Sequence, residues 1–506
     1  MKKLYAMLPE ELGTINPDIY GHFSEHIGGV FYDGLWVGED SDVPNIKGFR
    51  KEAVEKLRAI HIPVLRWPGG CFAEVYNWRD GIGPRDQRPK RHNWWDYEDG
   101  RLESNQVGTH EFIDLCRLIG AEPYFGANIT SMTPMDIRDW MDYCNSPRGS
   151  TTLALEREKN GSPEPFNVKY WGVGNETWGG GGEMTPEVYA HEDRKYAAVL
   201  YNLTRYMGGE LFISGANGTD SMDWTKRCLG ELRNIHYSKS TGYTLHYYCG
   251  GQECRGYDSD QWYEQMRRAD KMQEVIDKAW GFIVGYGMQE KAKLVVDEWG
   301  AWHKRGRPSQ GGSGPSNGMN LYEQQSTMRD ALVAGLTLNI FNNNCDKVRM
   351  ANIAQVMNNI QSLFLAAGEH CITTPTYHVF DMYKGHMGAT AVRTALENPV
   401  ITYKSPKDGT EKTAKQFSTS ASVKDGVLTV TLTNADLKKD ETISLEIVGG
   451  KAAGDAKVTV LHADNPDTVN TFEEPDNIVP AAPVDMPLRY IKVPRASVVT
   501  VEVKLA

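Results

Sequence analysis

Two patterns of apolar residues alternate along the first three quarters of the chain. Short apolar runs, typical of buried strands, alternate with stretches in which apolar residues recur at helical spacing. The predicted strands are Ile19–Phe23, Pro63–Arg66, Glu122–Asn128, Val168–Gly174, Leu211–Ser214, Tyr243–Tyr248, Ala292–Glu298 and Leu336–Phe341. The helical stretches between them include 48–60, 107–119, 186–206 and 261–286. This alternation predicts parallel strands, and eight units favour an α/β fold of the closed (β/α)8 TIM-barrel type over an open sheet.

The pattern changes after about Met387. Apolar and polar residues then alternate one by one, and turn residues come at short intervals, in 423–432, 444–448, 456–461 and 497–503. Short strands of this kind are typical of a β-sandwich. We therefore predict a catalytic barrel over 16–386 and a C-terminal β-sandwich domain over 387–506, to which residues 1–15 add a strand.

Length, composition and net charge indicate a globular protein and exclude some classes of partner. With 506 residues the chain is too long for one compact core, and 40% hydrophobic residues indicate an ordinary globular protein. A net charge of −11 argues against nucleic-acid partners and anionic membranes but not against neutral polysaccharides. The N-terminal apolar run is interrupted by Pro9 and Glu10, so it is a poor signal peptide. We expect a cytoplasmic protein; a secreted or periplasmic location stays open if a signal peptide has been removed.

The eight cysteines are scattered and form no Cys-x-x-Cys pair. In a chain of this size such a distribution predicts reduced thiols in the core rather than a disulfide framework. Cys249 and Cys254 are close enough in sequence to pair if their loop allows it.

Two glutamates follow predicted strands. Glu176 comes after the fourth and Glu298 ends the seventh, where barrel enzymes carry their catalytic groups. A pair of carboxylates is the minimum equipment for hydrolysing a glycosidic bond. Strand alternation predicts that Asp297 and Glu298 point to opposite faces. We expect a nearby charge and partial burial to keep Glu176 protonated, while hydrogen bonds keep Glu298 ionised.

Several longer motifs carry a more specific signal. They are Tyr20–His26, Arg66–Phe72, Asn77–Pro84, Gly174–Glu176, His246–Tyr248, Val296–Trp299 and Ala351–Gln355. Taken together and in this order, they resemble the α-L-arabinofuranosidases of glycoside hydrolase family 51, in clan A. The resemblance covers nearly the whole chain. It implies an exo-acting enzyme that releases terminal arabinofuranosyl residues from arabinoxylan, arabinan or related oligosaccharides.

The resemblance also implies roles for individual residues. Glu176 would be the acid/base and Glu298 the nucleophile of a retaining double displacement. Asn175 would bind the sugar 2-hydroxyl, and Tyr248 would orient the nucleophile. The furanose pocket would be lined by Glu25, Arg66, Cys71 and Gln355, with Trp302 as an apolar wall. No metal and no cofactor are implied. The partner would be an arabinose-containing oligosaccharide or polysaccharide. Because relatives are often oligomeric, the resemblance also suggests a homo-oligomer.

Simpler interpretations exist for some of these residues. Either catalytic carboxylate could instead cap a helix. Glu25 could be no more than an ion-pair partner of Arg66. His22 and His26 are four residues apart, but a metal site at that spacing requires a helix, and a strand is predicted there. We expect His246 to hydrogen-bond within the site rather than to carry a proton.

Two other functions remain open at this stage. An endo-β-glucanase or endo-xylanase of the same clan could use the same two carboxylates, in an open cleft rather than a closed pocket. A non-catalytic carbohydrate-binding protein would not need both carboxylates, and both are present. Trp94 and Trp95 could be a substrate platform or merely loop anchors. The glycine-rich segment 311–318 is predicted to be a loop on the active face.

Overall fold

Eight strands form a closed barrel in the computed structural model, which describes residues 1–95, 100–214, 222–233, 240–304 and 320–506. The strands are Gly21–Phe23, Val64–Trp67, Glu122–Ala127, Tyr170–Val173, Glu210–Ile213, Gly242–Glu253, Lys293–Lys304 and Val348–Ala354. Each pairs with the next in chain order and the eighth closes on the first. The predicted TIM barrel is therefore confirmed. The predicted loop 311–318 lies outside the described residues.

The helices agree with the sequence pattern in most places. They are Lys51–Ala59, Thr109–Ile119, Pro134–Asn145, Thr152–Lys159, Pro186–Tyr206, Asp223–Leu232, Ser259–Asp270, Met272–Gly285, Met328–Asn343 and Pro375–Tyr383. Pro186–Tyr206 has the predicted bounds because the Thr185 side chain accepts from the Val188 N–H and a proline opens the first turn. The predicted stretch 261–286 is two helices rather than one.

The predicted eighth strand is wrong. Leu336–Phe341 lies inside the helix Met328–Asn343, and the eighth strand is Val348–Ala354. All residues of this helix except Asn343 are buried, so no polar face reveals its 3.6-residue period. A helix that is buried on all sides gives the same continuous apolar run as a buried strand.

The C-terminal sheet has nine strands, in the order Val484–Met486, Ala456–His462, Ser497–Lys504, Val427–Asn434, Phe417–Lys424, Thr390–Leu396, Lys2–Thr14, Glu441–Val448 and Ile491–Val493. The N-terminal strand pairs antiparallel with Thr390–Leu396 and parallel with Glu441–Val448. Aliphatic side chains, among them Leu4, Leu428 and Val501, form its core. Between Tyr383 and residue 506, a range that the structure describes in full, no further α-helix occurs. The predicted sandwich is confirmed.

The chain divides into two compact units. One comprises residues 21–247 and 275–298, and the other comprises 1–20, 248–274 and 299–506. The domain boundaries 16–386 and 387–506 remain a prediction. Among the helices of the described ranges, none is a candidate for crossing a membrane. All eight cysteines lie in described ranges and are free thiols, six of them buried, so Cys249 and Cys254 do not pair.

Candidate active site

Glu176 sits on a tight turn just after the fourth barrel strand. Gly174 has φ +88° and Glu176 has φ +40°, which is a left-handed backbone conformation that non-glycine residues rarely adopt. Such residues cluster at functional sites, where the surrounding structure holds them. The side chain is 20% exposed. The following helix is capped by Thr185, so the alternative that Glu176 is a helix cap is wrong.

Glu298 lies within the seventh strand and faces Glu176 across a histidine. The Nδ1 atom of His246 is 2.8 Å from Glu176 Oε1 and 3.3 Å from Glu298 Oε2. One ligand atom from each of these three residues lies within 4.8 Å of the other two. The two strand-end carboxylates of the sequence are therefore neighbours in the structure. Glu298 is a strand residue, so it caps no helix either.

Arg66 hydrogen-bonds both Glu298 and the loop that carries Glu176. Its Nη1 donates to Glu298 Oε1 at 2.7 Å and its Nη2 donates to Asn175 Oδ1 at 2.6 Å. The guanidinium is 1% exposed and lies 4.5 Å from the centroid of the Phe23 ring. Burial alone would lower its pKa, but the charges of Asp297 and Glu298 raise the pKa of Arg66 above its ordinary value. Arg66 is therefore a permanent cation that fixes both partners.

The prediction that Asp297 and Glu298 point to opposite faces is wrong. Asp297 does not face away from Glu298: its Oδ2 is 3.5 Å from Arg66 Nε, and its Oδ1 is 2.9 Å from His246 Nε2. Burial would raise the pKa of Asp297, but Arg66 and His246 lower it. Both carboxylates therefore contact Arg66 and His246, although they are neighbours in one strand.

His246 contacts the reacting groups more closely than sequence reasoning anticipates. Burial would lower its pKa, but the charges of Glu298 and Asp297 raise the pKa of His246 to about 10. As an imidazolium it carries an N–H on both ring nitrogens: Nδ1 donates to Glu176 Oε1 at 2.8 Å, and Nε2 lies 2.9 Å from Asp297 Oδ1 in an ion pair. The sequence feature that points to His246 is its place in the stretch His246–Tyr248, at the end of the sixth predicted strand. His246 is thus a direct partner of both glutamates.

The protonation of Glu298 differs from the sequence expectation. Burial raises the pKa of Glu298, and the charges of Glu176 and Asp297 raise it further, while His246 and Arg66 oppose this. Hydrogen bonding therefore does not by itself hold the carboxylate in the ionised form.

Glu25 is buried beside these residues and is more than an ion-pair partner. Its Oε1 accepts from the Gly70 N–H at 2.9 Å, the Phe72 N–H at 3.0 Å and the Trp95 Nε1 at 2.8 Å. Burial raises the pKa of Glu25 to about 7, and the charge of Glu298 adds to this, against the hydrogen bonds and Arg66. Trp95 is anchored through this carboxylate, whereas Trp94 is 42% exposed.

The turn after the second strand brings Cys71 and a glycine into the site. Cys71 is 7% exposed, and its Sγ is 3.8 Å from Glu176 Oε2. A Cβ on Gly70 would lie 2.9 Å from Glu298 Oε1 and 3.5 Å from Glu25 Oε1. A side chain at that position would displace one of the carboxylates, so the close approach requires glycine.

The other three predicted pocket residues belong to the second compact unit. Tyr248 is on the sixth strand and Trp302 on the seventh, with ring centroids 5.2 Å apart in an edge-to-face arrangement. Gln355 follows the eighth strand, is 3% exposed and donates its backbone N–H to the Ile360 carbonyl at 2.7 Å. That they converge on the two glutamates stays a prediction.

His26, one of the two histidines that suggested a metal, has other partners. His26 Nδ1 lies 3.0 Å from Glu103 Oε2, and its Nε2 accepts from the Trp67 indole at 2.9 Å. Within the described part of the chain, the group spaced for a metal ion is Glu176, His246 and Glu298. There the imidazolium and Arg66 already supply positive charge to the glutamates. That the enzyme needs no metal and no cofactor stays a prediction.

Comparison with known proteins agrees with this site. The model of the α-L-arabinofuranosidase 1 domain matches residues 56–248, and that of the α-L-arabinofuranosidase C-terminal domain matches 297–497. The chain is 38% identical to an intracellular exo-α-L-arabinofuranosidase of Bacteroides ovatus, over 97% of this chain and 93% of that protein. It superposes on the family 51 arabinofuranosidase of Xanthomonas axonopodis with a TM-score of 0.89, at 32% identity and full coverage of both chains. For the α-L-arabinofuranosidase of Thermotoga maritima the TM-score is 0.83, at 28% identity and again full coverage of both. The chain therefore belongs to the α-L-arabinofuranosidases of glycoside hydrolase family 51.

Proposed function

We propose that the protein is an exo-acting enzyme that releases terminal α-L-arabinofuranosyl residues with retention of configuration, by double displacement. The observation that carries the proposal is the spacing of the carboxylates: oxygens of Glu176 and Glu298 lie within 4.8 Å of each other around His246. Retaining glycosidases hold their two carboxyl groups about 5 to 5.5 Å apart, whereas inverting enzymes leave about 6.5 to 9.5 Å for a water molecule.

In the first step Glu298 attacks the anomeric carbon while Glu176 protonates the leaving oxygen. Arg66 and His246 favour the ionised form of Glu298, against its burial. Arg66 also donates to Asn175 Oδ1. The Asn175 NH2 group donates one hydrogen toward Cys71 Sγ at 3.9 Å and has a second to donate to the sugar 2-hydroxyl. That bond strengthens as the oxocarbenium-like transition state forms.

In the second step Glu176, now ionised, takes a proton from water. The water attacks the anomeric carbon, the bond to Glu298 breaks, and Glu176 is again protonated. The 20% exposure of the Glu176 side chain, against 7% for that of Glu298, suits the residue that must meet both the leaving group and the incoming water.

Exo action and the substrate class rest on further support. Glu25 is 3% exposed and accepts from the Gly70 N–H beside the nucleophile, which suits a closed pocket more than an open cleft. The Bacteroides ovatus relative is named an intracellular exo enzyme, and we extend both terms to this chain. We further propose that Tyr248, Trp302 and Gln355 complete the pocket, that the substrates are arabinoxylan, arabinan or related oligosaccharides, and that the enzyme is a homo-oligomer.

The test is a screen of an aryl α-L-arabinofuranoside against an aryl xyloside and soluble polysaccharides, with the anomer of the first product read by NMR. We expect turnover of the arabinofuranoside, arabinose as the product from arabinan, and retained configuration. An inverted first product contradicts the double displacement. A fall in polymer viscosity before arabinose appears contradicts exo action and favours the endo alternative.

A further inference from the structure

Glu74 is a buried carboxylate that the mechanism above does not use. It lies in the short helical turn Cys71–Val75, after the second barrel strand, and is 1% exposed. Its Oε1 accepts from the backbone N–H of Asn175 at 2.6 Å. Its Oε2 accepts from the N–H groups of Ile129 and Thr130, both at 2.9 Å. One side chain therefore joins the loops that follow the second, third and fourth barrel strands.

The loop held in this way carries the acid/base candidate. Asn175 stands between Gly174, at φ +88°, and Glu176, at φ +40°, so two of three successive residues have left-handed backbone. The Thr130 hydroxyl donates to the Gly181 carbonyl at 2.9 Å. A Cβ on Gly181 would lie 1.6 Å from the Asn175 carbonyl oxygen. Glu74 thus holds both the strained turn and, through Thr130, the glycine turn that packs against it.

We propose that Glu74 is a positioning residue, which fixes the backbone of Asn175 and thereby aims the Asn175 amide at the sugar 2-hydroxyl. The inference rests on the proposed function, because it assumes that Asn175 binds the sugar. Catalytic groups must be held within about 0.5 Å of their productive position. A charge-assisted bond to the backbone of the binding residue supplies such a restraint.

A carboxylate at position 74 suits a positioning role better than a neutral side chain would. Burial raises the pKa of Glu74 to about 7, although the N–H groups of Asn175, Thr130 and Ile129 oppose this. A neutral acceptor could satisfy one or two of these donors without the cost of burying a charge. A carboxylate has two oxygens with which to hold three donors in one geometry. This is the arrangement expected where position, rather than stability alone, is required.

Glu74→Gln tests the bond to the Asn175 N–H separately from the bonds to the Ile129 and Thr130 N–H groups. The amide keeps one oxygen, and the orientation that preserves the bonds to Ile129 and Thr130 turns the NH2 group toward the Asn175 N–H. The variant should therefore keep the loop after the third strand and release Asn175. We expect kcat to fall about 10- to 100-fold with KM nearly unchanged, since small misplacements of catalytic groups cost this much. Glu74→Asp keeps the charge and should recover part of the loss.

The decisive comparison uses an aryl α-L-arabinofuranoside and its 2-deoxy analogue, with Glu74→Gln, Asn175→Ala and the double variant. If Glu74 acts through Asn175, Glu74→Gln should lose much less on the 2-deoxy substrate, and the double variant should be no slower than Asn175→Ala. Glu111→Gln is the matched control. That carboxylate is also buried, accepts from the Gly108 N–H at 2.9 Å and forms an ion pair with Arg88 at 2.9 Å, so its loss should lower Tm and leave kcat unchanged.

Equal losses on both substrates, additive effects of the two substitutions, or a lowered Tm with unchanged kcat would each overturn the role of Glu74. If Glu74→Gln does not fold, Glu74→Asp enters the same comparison with the same outcomes. Failure of the proposed function looks different: Asn175→Ala would then keep full activity on the arabinofuranoside, whatever Glu74→Gln does.

Discussion

Asp193 is a buried acid for which the structure predicts a pH-dependent loss of stability. It lies on the helix Pro186–Tyr206 with no exposed surface, and within the described chain neither carboxylate oxygen has a hydrogen-bond partner. Burial raises the pKa of Asp193 from 3.8 to about 7, with a small opposing effect of Arg194. The folded state therefore prefers the neutral acid.

The sign follows from linkage. Below pH 4 the acid is protonated in the folded and unfolded states, and it costs nothing. Between pH 4 and 7 the unfolded state loses the proton first, so the free energy of unfolding falls as pH rises. Above pH 7 the full cost applies, and a shift of about three units corresponds to about 4 kcal/mol. Asp193→Asn removes the titration and should be more stable than the parent at pH 8, but not at pH 4.5.

The assay is the Tm of both proteins, by differential scanning fluorimetry, in buffers from pH 4.5 to 8. The difference in Tm should grow steadily over this range and level off above pH 7. Asp223→Asn is the control, since its side chain lies on the neighbouring helix and is 64% exposed. A difference that does not change with pH, or a variant less stable at pH 8, would refute the reasoning.

The remaining predictions concern the active site. Glu298→Ala should abolish turnover of every glycoside, because no covalent intermediate forms; measurable turnover with an activated aryl arabinofuranoside would contradict this. Glu176→Ala should lose about 100- to 10,000-fold on oligosaccharides and far less on an aryl glycoside with an acidic phenol, and azide should restore turnover with a product of retained configuration; an inverted azide would show that the roles are wrongly assigned. Gly70→Ala should lower kcat at little change in Tm, since its Cβ meets Glu298 Oε1 at 2.9 Å; unchanged kcat would argue against this. His246→Asn removes a positive charge that lowers the pKa of Glu298, so the acidic limb of the kcat/KM profile should move to higher pH; a shift to lower pH would contradict it.

The barrel was predictable because its strands are short, continuous apolar runs and most of its helices have one exposed side. Pro186–Tyr206 shows buried and exposed residues at helical spacing and has a capping residue, so both its type and its bounds follow from the sequence. Met328–Asn343 has no such contrast, so its apolar segment gives the pattern of a buried strand. Its only distinguishing signal was the start: Thr327 and Asp330 form a capping box, three residues apart.

The two glutamates were predictable because chemistry and position coincide at the ends of strands. Their partners were harder to place. Period-two alternation predicts Asp297 on the face opposite to Glu298, but it does not predict that Arg66 and His246 contact both carboxylates. Glu74 gave no signal of its own, since its partners are backbone N–H groups from two other loops. Contacts to backbone leave no trace in residue type.

The balance of charges in the active site indicates that one of its carboxylates is protonated. Four carboxylates, Glu25, Glu176, Asp297 and Glu298, lie around two cations, Arg66 and His246. Both cations contact Asp297 and lower its pKa, so Asp297 stays ionised. Burial raises the pKa of both Glu25 and Glu298. The negative groups outnumber the positive ones, so the site favours keeping a proton on a glutamate. A double displacement needs Glu298 ionised at the start of the cycle, so that proton must lie on a glutamate other than Glu298.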